Sequence, residues 1–385
     1  MGERQSKTNV VVTGIGLISA LGNLTESWTR LLSAQTGIER VQLFAELPSR
    51  PLGLIASQPS EFLSLTHQVV DAALSDAGLT PPLPECGVVI GSSRSQQGRW
   101  ERSRWAWKQS GEASEVLADW LQMLPHTGAI ATAGQIGSTG AVLAPMAACA
   151  TGIWAIAQGF ELIQTGRCQR AIAGAVEVPI TPLTLAGFEK MGALAKTGAY
   201  PFDRCREGLV LGEGAAVLVL ESAELARSRG ASSYGRVLGF GLSADGHHVS
   251  APDPSGQGAM VSVKQCLDRS GLVPADIDYI HAHGTATPLN DRNEAHLIRD
   301  LFPHGVAVSS TKGATGHAVG ASGALGAAFG LMALKHGILP PCVGLSEPEF
   351  ELDLVQQARS SRVDNVLCFS FGFGGQNAAI ALGRE

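Results

Sequence analysis

Residues Ala318 to Leu334 run for 17 positions without a charge and consist largely of Gly, Ala and Ser. A helix with no polar face has to be covered on every side. The stretch is a little short for a bilayer, poor in Leu and Phe, and follows the polar run Lys312 to His317. A helix buried between two protein layers fits it better than a membrane span, so no membrane insertion is expected. The spacing Gly326-xxx-Gly330 then means close packing inside the protein.

The rest of the chain supplies layers for such a helix. Val10 to Gly14, Val88 to Gly91, Arg170 to Val176 and Ala215 to Leu220 read as strands, as do Arg236 to Phe240, Tyr279 to His283, Val306 to Ser309 and Asn365 to Phe369. Thr25 to Ala34, Val69 to Ala77 and Thr151 to Thr165 read as helices. Strands alternating with helices predict a layered α/β protein. At 385 residues the chain suits two domains or one duplicated unit, and the hydrophobic share of 45% is enough for a sizeable core. A weak internal symmetry points to duplication: in each half a reactive residue precedes a long apolar helix, Cys149 before Thr151 and His317 before Ala318. The halves are expected to span residues 1–230 and 231–385.

Charge and cysteine usage exclude several classes. A net charge of −6 argues against nucleic acid as the main partner. Seven cysteines, an odd number without a CxxC pair, point to a reducing compartment, no disulfide framework and no zinc site of the usual spacing. The polar start Met1 to Lys7 holds no signal-peptide apolar region, and the Met1-Gly2…Ser6 match to a myristoylation pattern is read as chance.

Cys149 lies in Ala-Ala-Cys-Ala-Thr-Gly, directly before a helix. A thiol there feels the positive end of the helix dipole, worth up to ~2 kcal/mol, or about one and a half pKa units, in favour of thiolate. The free amides of the same turn can hold an oxyanion. Taken alone, the segment better suits a small buried hydrophobe. His281 and His283 share one face of an expected strand and suggest a metal, but no third ligand at metal spacing follows. His283 taken alone also suits a satisfied histidine in a turn. His317 closes Ser309-Ser310-Thr311-Lys312-Gly313-Ala314-Thr315-Gly316-His317, which lacks the GxxxxGK[ST] order of a phosphate loop. Lys312 could reach a buried acid. Asp291 and Glu294 suit the start of a helix by their charge, and could also balance Lys312. In the run Phe371-Gly372-Phe373-Gly374, the Gly-flanked Phe373 could form a mobile gate or a tight turn.

The order Cys…His…Lys…His…Gly-Phe-Gly-Gly, with Phe202-Asp203 and Gly212-Glu213-Gly214, resembles the elongating, Cys-His-His class of beta-ketoacyl-acyl-carrier-protein synthases across nearly the whole chain. The resemblance implies a thiolase-like fold of duplicated halves in five layers (αβαβα), usually a cytoplasmic homodimer, with an acyl carrier protein as partner. It implies decarboxylative Claisen condensation of an acyl thioester with malonyl-carrier thioester. Cys149 would take the acyl group, and His283 and His317 would stabilise the malonyl-derived enolate. Lys312 and Glu294 would form a supporting ion pair with Asp291 nearby. Thr285 and Thr287 would bind the pantetheine arm, the amides of Cys149 and Phe373 would form the oxyanion hole, and Phe373 and Phe188 would gate the acyl tunnel. No metal and no cofactor beyond the substrate's phosphopantetheine are implied. Neutral histidines can donate to an enolate oxygen without a metal, and a thioester calls for a soft nucleophile that is also a good leaving group.

The chain departs from the family pattern at Asn290, where Gly is usual, and at His281, where an acid is common. Phe62 to Gln68 lacks the basic cluster often offered to the carrier. Residues 94–120 instead carry Trp100, Trp105, Trp107 and Trp120 among Arg99, Arg102, Arg104 and Lys108. An amphipathic segment at a dimer edge is the favoured reading, and a replacement carrier-docking patch the lesser one. A non-condensing partner subunit resembling a chain-length factor would typically lack the Cys. A coenzyme A-dependent thiolase would want a second Cys near Phe371 and Phe373, and Asn at His283.

Overall fold

The computed structural model describes residues 8–110 and 120–385. The polar start and the myristoylation pattern therefore lie outside the described residues, as does part of the Trp/Arg-rich segment.

Side-chain alternation along the strands sorts residues into layers. In the strand Arg170–Glu177, Ala171, Ala173 and Ala175 enter one core while Ile172 and Val176 enter another. The strand Gly214–Ser222 does the same, with Ala216, Leu218 and Leu220 on one side and Ala215, Val217 and Val219 on the other. In the C-terminal half, Val366 and Cys368 of Asn365–Gly372 face the first core, and Leu367 and Phe369 face a third. Two sheet faces thus share one central core, and each has a separate outer one.

The shared core holds the helices Thr151–Gln164 and Ser322–His336. The second is the uncharged segment of the sequence, and Ser322 through Leu334 are all buried. It starts four residues later than expected, because Val319–Ala321 form a turn of 3-10 helix first. The helices Phe62–Asp76 and Thr127–Ile136 cover one outer face, and Gln257–Ser270 and Pro288–Leu301 the other. Helix, sheet, helix, sheet, helix make five layers. The strand Val10–Ser19 joins the halves by pairing antiparallel with both Gly214–Ser222 and Gly235–Ala244.

The two central helices touch backbone to backbone, and glycine makes this possible. A Cβ on Gly152 would stand 2.5 Å from the amide nitrogen of Ala324, and one on Gly323 would stand 3.1 Å from that of Ile153. Gly152→Ala should therefore destabilise the protein by about 2 kcal/mol through overpacking, seen as a lower urea midpoint at unchanged slope. An unchanged midpoint would show that the helices are not held this close.

Candidate active site

Cys149 sits on a tight turn before the helix Thr151–Gln164. Ala148 adopts φ +46°, and Thr151 clamps the turn by donating to the Ala148 carbonyl at 2.7 Å and accepting from the Ala147 amide at 2.9 Å. From the other half, Ser370 donates to the Cys149 carbonyl at 2.8 Å. Gly372 comes so close that a Cβ there would stand 2.9 Å from the Cys149 amide nitrogen. The next residue, Phe373, thereby aims its backbone N–H at the Cys149 sulfur. Two amides flank the thiol, the arrangement a developing oxyanion requires.

His283 does not end a strand. The strand ends at His281; the Ala282 amide still donates to Ser309 at 2.9 Å, but the two amides after it are taken elsewhere. Glu294, buried on the helix Pro288–Leu301, accepts from the amides of His283 at 2.6 Å and Gly284 at 2.7 Å. The Lys312 ammonium donates to the His283 carbonyl. A direct Lys312–Glu294 ion pair does not form; the two groups grip opposite ends of one peptide turn instead. Asp291 accepts from the Phe202 amide at 2.8 Å and stands 3.9 Å from the Arg206 guanidinium. His281 meets the Thr311 hydroxyl at 3.2 Å and is not among the ligating atoms that cluster with His283, so the two-apart pair is no ligand pair.

His317 follows Gly316, whose φ of +70° turns the chain, and its amide donates to Val210 at 2.7 Å. Its Nδ1 meets the Ser322 hydroxyl at 2.8 Å. The two imidazoles lie edge to face with centroids 5.3 Å apart. A ligating atom from each of Cys149, His283 and His317 lies within 4.8 Å of the other two. All three line one cavity of about 360 Å³, together with Thr285, Thr287, Phe188 and Phe373. Half-exposed Met191 and Leu289 also line it, so it opens to solvent. Thr285 and Thr287 hydroxyls bond each other at 2.8 Å. Phe188 and Phe373 stack at 5.7 Å and close the apolar side.

Burial sets the electrostatics. It pushes the Cys149 thiol up to about 11, against the opposing pull of Lys312, the Phe373 amide and Arg94. The thiolate expected from the helix dipole is therefore overridden: the dipole effect is smaller than the desolvation of a sulfur with almost no water contact. Burial, seconded by Lys312, holds both His283 and His317 well below the ordinary histidine range. Both rings are neutral at pH 7, each with one N–H donor and one acceptor. Burial raises Glu294 and lowers Lys312.

Sequence reading missed two neighbours of the site: Ser322 orients His317, and Ser370 fixes the Cys149 carbonyl. Phe371, read as part of the glycine-rich loop, packs against His283 at 6.1 Å. Ser322 sits five residues after His317 at a helix start, a visible signal. Ser370 acts across 221 positions, with no local signature.

Comparison with known proteins agrees with this architecture. Residues 55–226 match the family model "Beta-ketoacyl synthase, N-terminal domain", and residues 234–346 match "Beta-ketoacyl synthase, C-terminal domain". A Coxiella burnetii protein named 3-oxoacyl-[acyl-carrier-protein] synthase 2 is 33% identical over 98% of this chain and 99% of its own. A Synechocystis protein of the same name is 35% identical over 97% and 98%. A beta-ketoacyl synthase from Burkholderia phymatum superposes with a TM-score of 0.90 at 28% identity, over 98% of this chain and all of its own. A structure described as the ishigamide ketosynthase/chain length factor reaches 0.92 at 29% identity, over 99% of this chain and all of its own.

With a thiol pushed up to about 11, only ~10⁻⁴ of Cys149 is ionised at pH 7 in the empty site. Protonation silences the sulfur below that value, so the iodoacetamide alkylation rate should keep rising with pH through 9 and beyond. A plateau reached by pH 7 would contradict this electrostatic account.

Proposed function

The chain belongs to the beta-ketoacyl synthase family, and from that premise we propose that it is a 3-oxoacyl-acyl-carrier-protein synthase in fatty acid or related polyketide synthesis, with Cys149 as nucleophile. The observation that carries the assignment of roles is the approach of the Cys149 sulfur and both imidazoles to within 4.8 Å around one open cavity.

The pantetheine arm of an acyl-carrier protein enters beside Thr285 and Thr287, and its thioester carbonyl oxygen settles against the amides of Cys149 and Phe373. The Cys149 sulfur attacks the carbonyl carbon as a neutral imidazole takes its proton, since the thiol does not ionise unaided. The tetrahedral oxyanion collapses and the pantetheine sulfur leaves with that proton. A malonyl thioester follows, its carbonyl held by N–H donors of His283 and His317. The bond to its carboxylate breaks, CO₂ departs, and the electron pair passes to an enolate stabilised by both rings. The enolate carbon attacks the acyl carbon, the C–S bond to Cys149 breaks with its electron pair on sulfur, the thiolate takes a proton from solvent to restore the thiol, and 3-oxoacyl-carrier protein is released. The decarboxylation step needs no protonated imidazole, in keeping with the low basicity of both rings here. Lys312 and Glu294 hold the His283 turn, and Asp291 fixes the loop at Phe202 behind it.

Phe188 and Phe373 serve as the acyl gate. Phe373 is followed by two glycines at φ +77° and +70°, so its loop can move where other residues would be strained. The halves 1–230 and 231–385 each contribute a site-bearing turn, and no cofactor beyond the carrier's phosphopantetheine is required. An acyl carrier protein is the partner; one similar structure is described as a "type II PKS acyl-carrier protein in complex with its ketosynthase bound to the hexaketide". A homodimer is supported by the end strand Val142–Leu143, whose partly exposed apolar side chains continue into exposed Met146. Cytoplasmic placement accords with seven cysteines held as thiols. A non-condensing partner subunit and a coenzyme A-dependent thiolase are the competing readings, and the intact sulfur and two imidazoles favour condensation over both.

Cys149→Ser should abolish acyl transfer from a labelled acyl-carrier thioester, read by intact-protein mass; covalent label at another residue would refute the nucleophile. His283→Ala should cut malonyl decarboxylation by at least about 100-fold while Cys149 still becomes acylated. Unchanged CO₂ release would remove His283 from the mechanism.

A further inference from the structure

We propose that Arg94 determines which acyl groups the site accepts, selecting chains with an oxygen acceptor, a carbonyl or carboxylate, several carbons from the thioester. The proposal rests on the reading that Cys149 carries the acyl group, and it names the substrate class of that same site.

The side chains packed with Cys149 form an apolar cluster that includes Ile180, Leu185, Phe188, Leu209 and Val319. Arg94 is the cation on the Phe188 side of it. The Arg94 guanidinium carbon lies 5.6 Å from the Phe188 ring centroid, and Phe188 is the ring that both lines the cavity and stacks on Phe373. Arg94 does not itself line the cavity, so on this proposal an acyl chain reaches it only by passing the Phe188–Phe373 pair.

This partly buried arginine has no direct partner: its Nε is buried without a hydrogen bond, and among the described residues the nearby Glu177 carboxylate attracts it without forming an ion pair. Arg50 and Arg206 also bury an unpartnered Nε, but each reaches a carboxylate through another nitrogen, Glu189 and Glu349 respectively. Glu177, the nearby acid, turns one carboxylate oxygen to the amides of Ser93 and Arg94, and its second oxygen is unpartnered. The hydroxyls of Ser93 and Ser95 are buried and unpartnered too. Half of the buried unpartnered side-chain atoms among the described residues, four of eight, thus fall in Ser93–Ser95 and Glu177. Buried polar groups left open in this density call for a ligand or ordered water.

An unpaired cation beside apolar side chains is costly, and a ligand oxygen relieves that cost. A saturated chain would place methylenes against the guanidinium and leave it unpaired. A site built around a polar group rejects the analogue that lacks its partner far more strongly than an apolar pocket rejects an extra methylene. Discrimination therefore falls on the distal end of the acyl chain, away from the sulfur and the two imidazoles.

The test is competition for Cys149 among three six-carbon carrier thioesters: hexanoyl, 5-oxohexanoyl and adipoyl with a free distal carboxylate. Acyl-enzyme is read by mass and extension by malonyl-carrier consumption. The native chain should favour an oxygenated substrate over hexanoyl by at least about tenfold, and the two oxygenated arms distinguish carbonyl from carboxylate recognition. Arg94→Met should erase or invert that ratio, and Arg94→Lys should keep part of it, with thermal unfolding confirming that both variants fold. A native preference for hexanoyl, or an unchanged ratio in a folded Arg94→Met, overturns the proposal. So does a change in oligomeric state without a change in ratio, which would assign Arg94 to a subunit contact. Acylation and extension of all three at equal rates defeats this inference alone, whereas failure of every substrate to acylate Cys149 defeats the parent reading and this one with it.

Discussion

A backbone-to-backbone contact in the molecule's centre, between the helices that begin near Cys149 and His317, positions the rest of the site. Gly152 and Gly323 let these helices meet without intervening side chains. Each helix is preceded by a turn bearing a reactive group, so bringing the helix starts together brings the groups together. The all-round burial of Ser322–His336 and the assembly of the cavity are one structural fact. Catalytic geometry here is inherited from core packing, and core packing is rigid because interiors are close-packed.

A second principle is that charge is held near the reacting atoms but not on them. Lys312 and Glu294 are buried behind the His283 turn, joined through its peptide groups rather than to each other. Their arrangement satisfies buried donors and acceptors that would otherwise be costly. Burial, seconded by Lys312, leaves His283 and His317 uncharged and suited to donating to an enolate. The thiol itself rests protonated, protected from indiscriminate reaction until a substrate arrives.

Much of this was legible in the sequence. The uncharged run from Ala318 marked the central helix, and the strand–helix alternation gave the layers. The residues around Cys149, His283 and His317 carried the family resemblance. What was not legible depends on distances that no local pattern encodes. The protonation of Cys149 was misjudged because the helix dipole can be seen in sequence and the depth of burial cannot. The Lys312–Glu294 ion pair was expected because opposite charges suggest direct contact, whereas the fold placed a peptide turn between them. The strand through His283 was drawn two residues too long, since only Glu294, on a later helix, withdraws the amides that pairing would use. Arg94 was read merely as the start of an unusual insert; its place against Phe188 required the fold.

The central claim is that two neutral imidazoles beside the Cys149 sulfur suffice to break the malonyl carbon–carbon bond. It is tested most directly by capping Cys149 with a small alkyl group and measuring ¹³CO₂ release from malonyl-carrier thioester. The account predicts continued decarboxylation to acetyl-carrier protein with no condensed product, because capping removes the nucleophile and leaves both rings in place. Loss of CO₂ release to the level of the thioester alone in solution, with the carrier still bound, would contradict it.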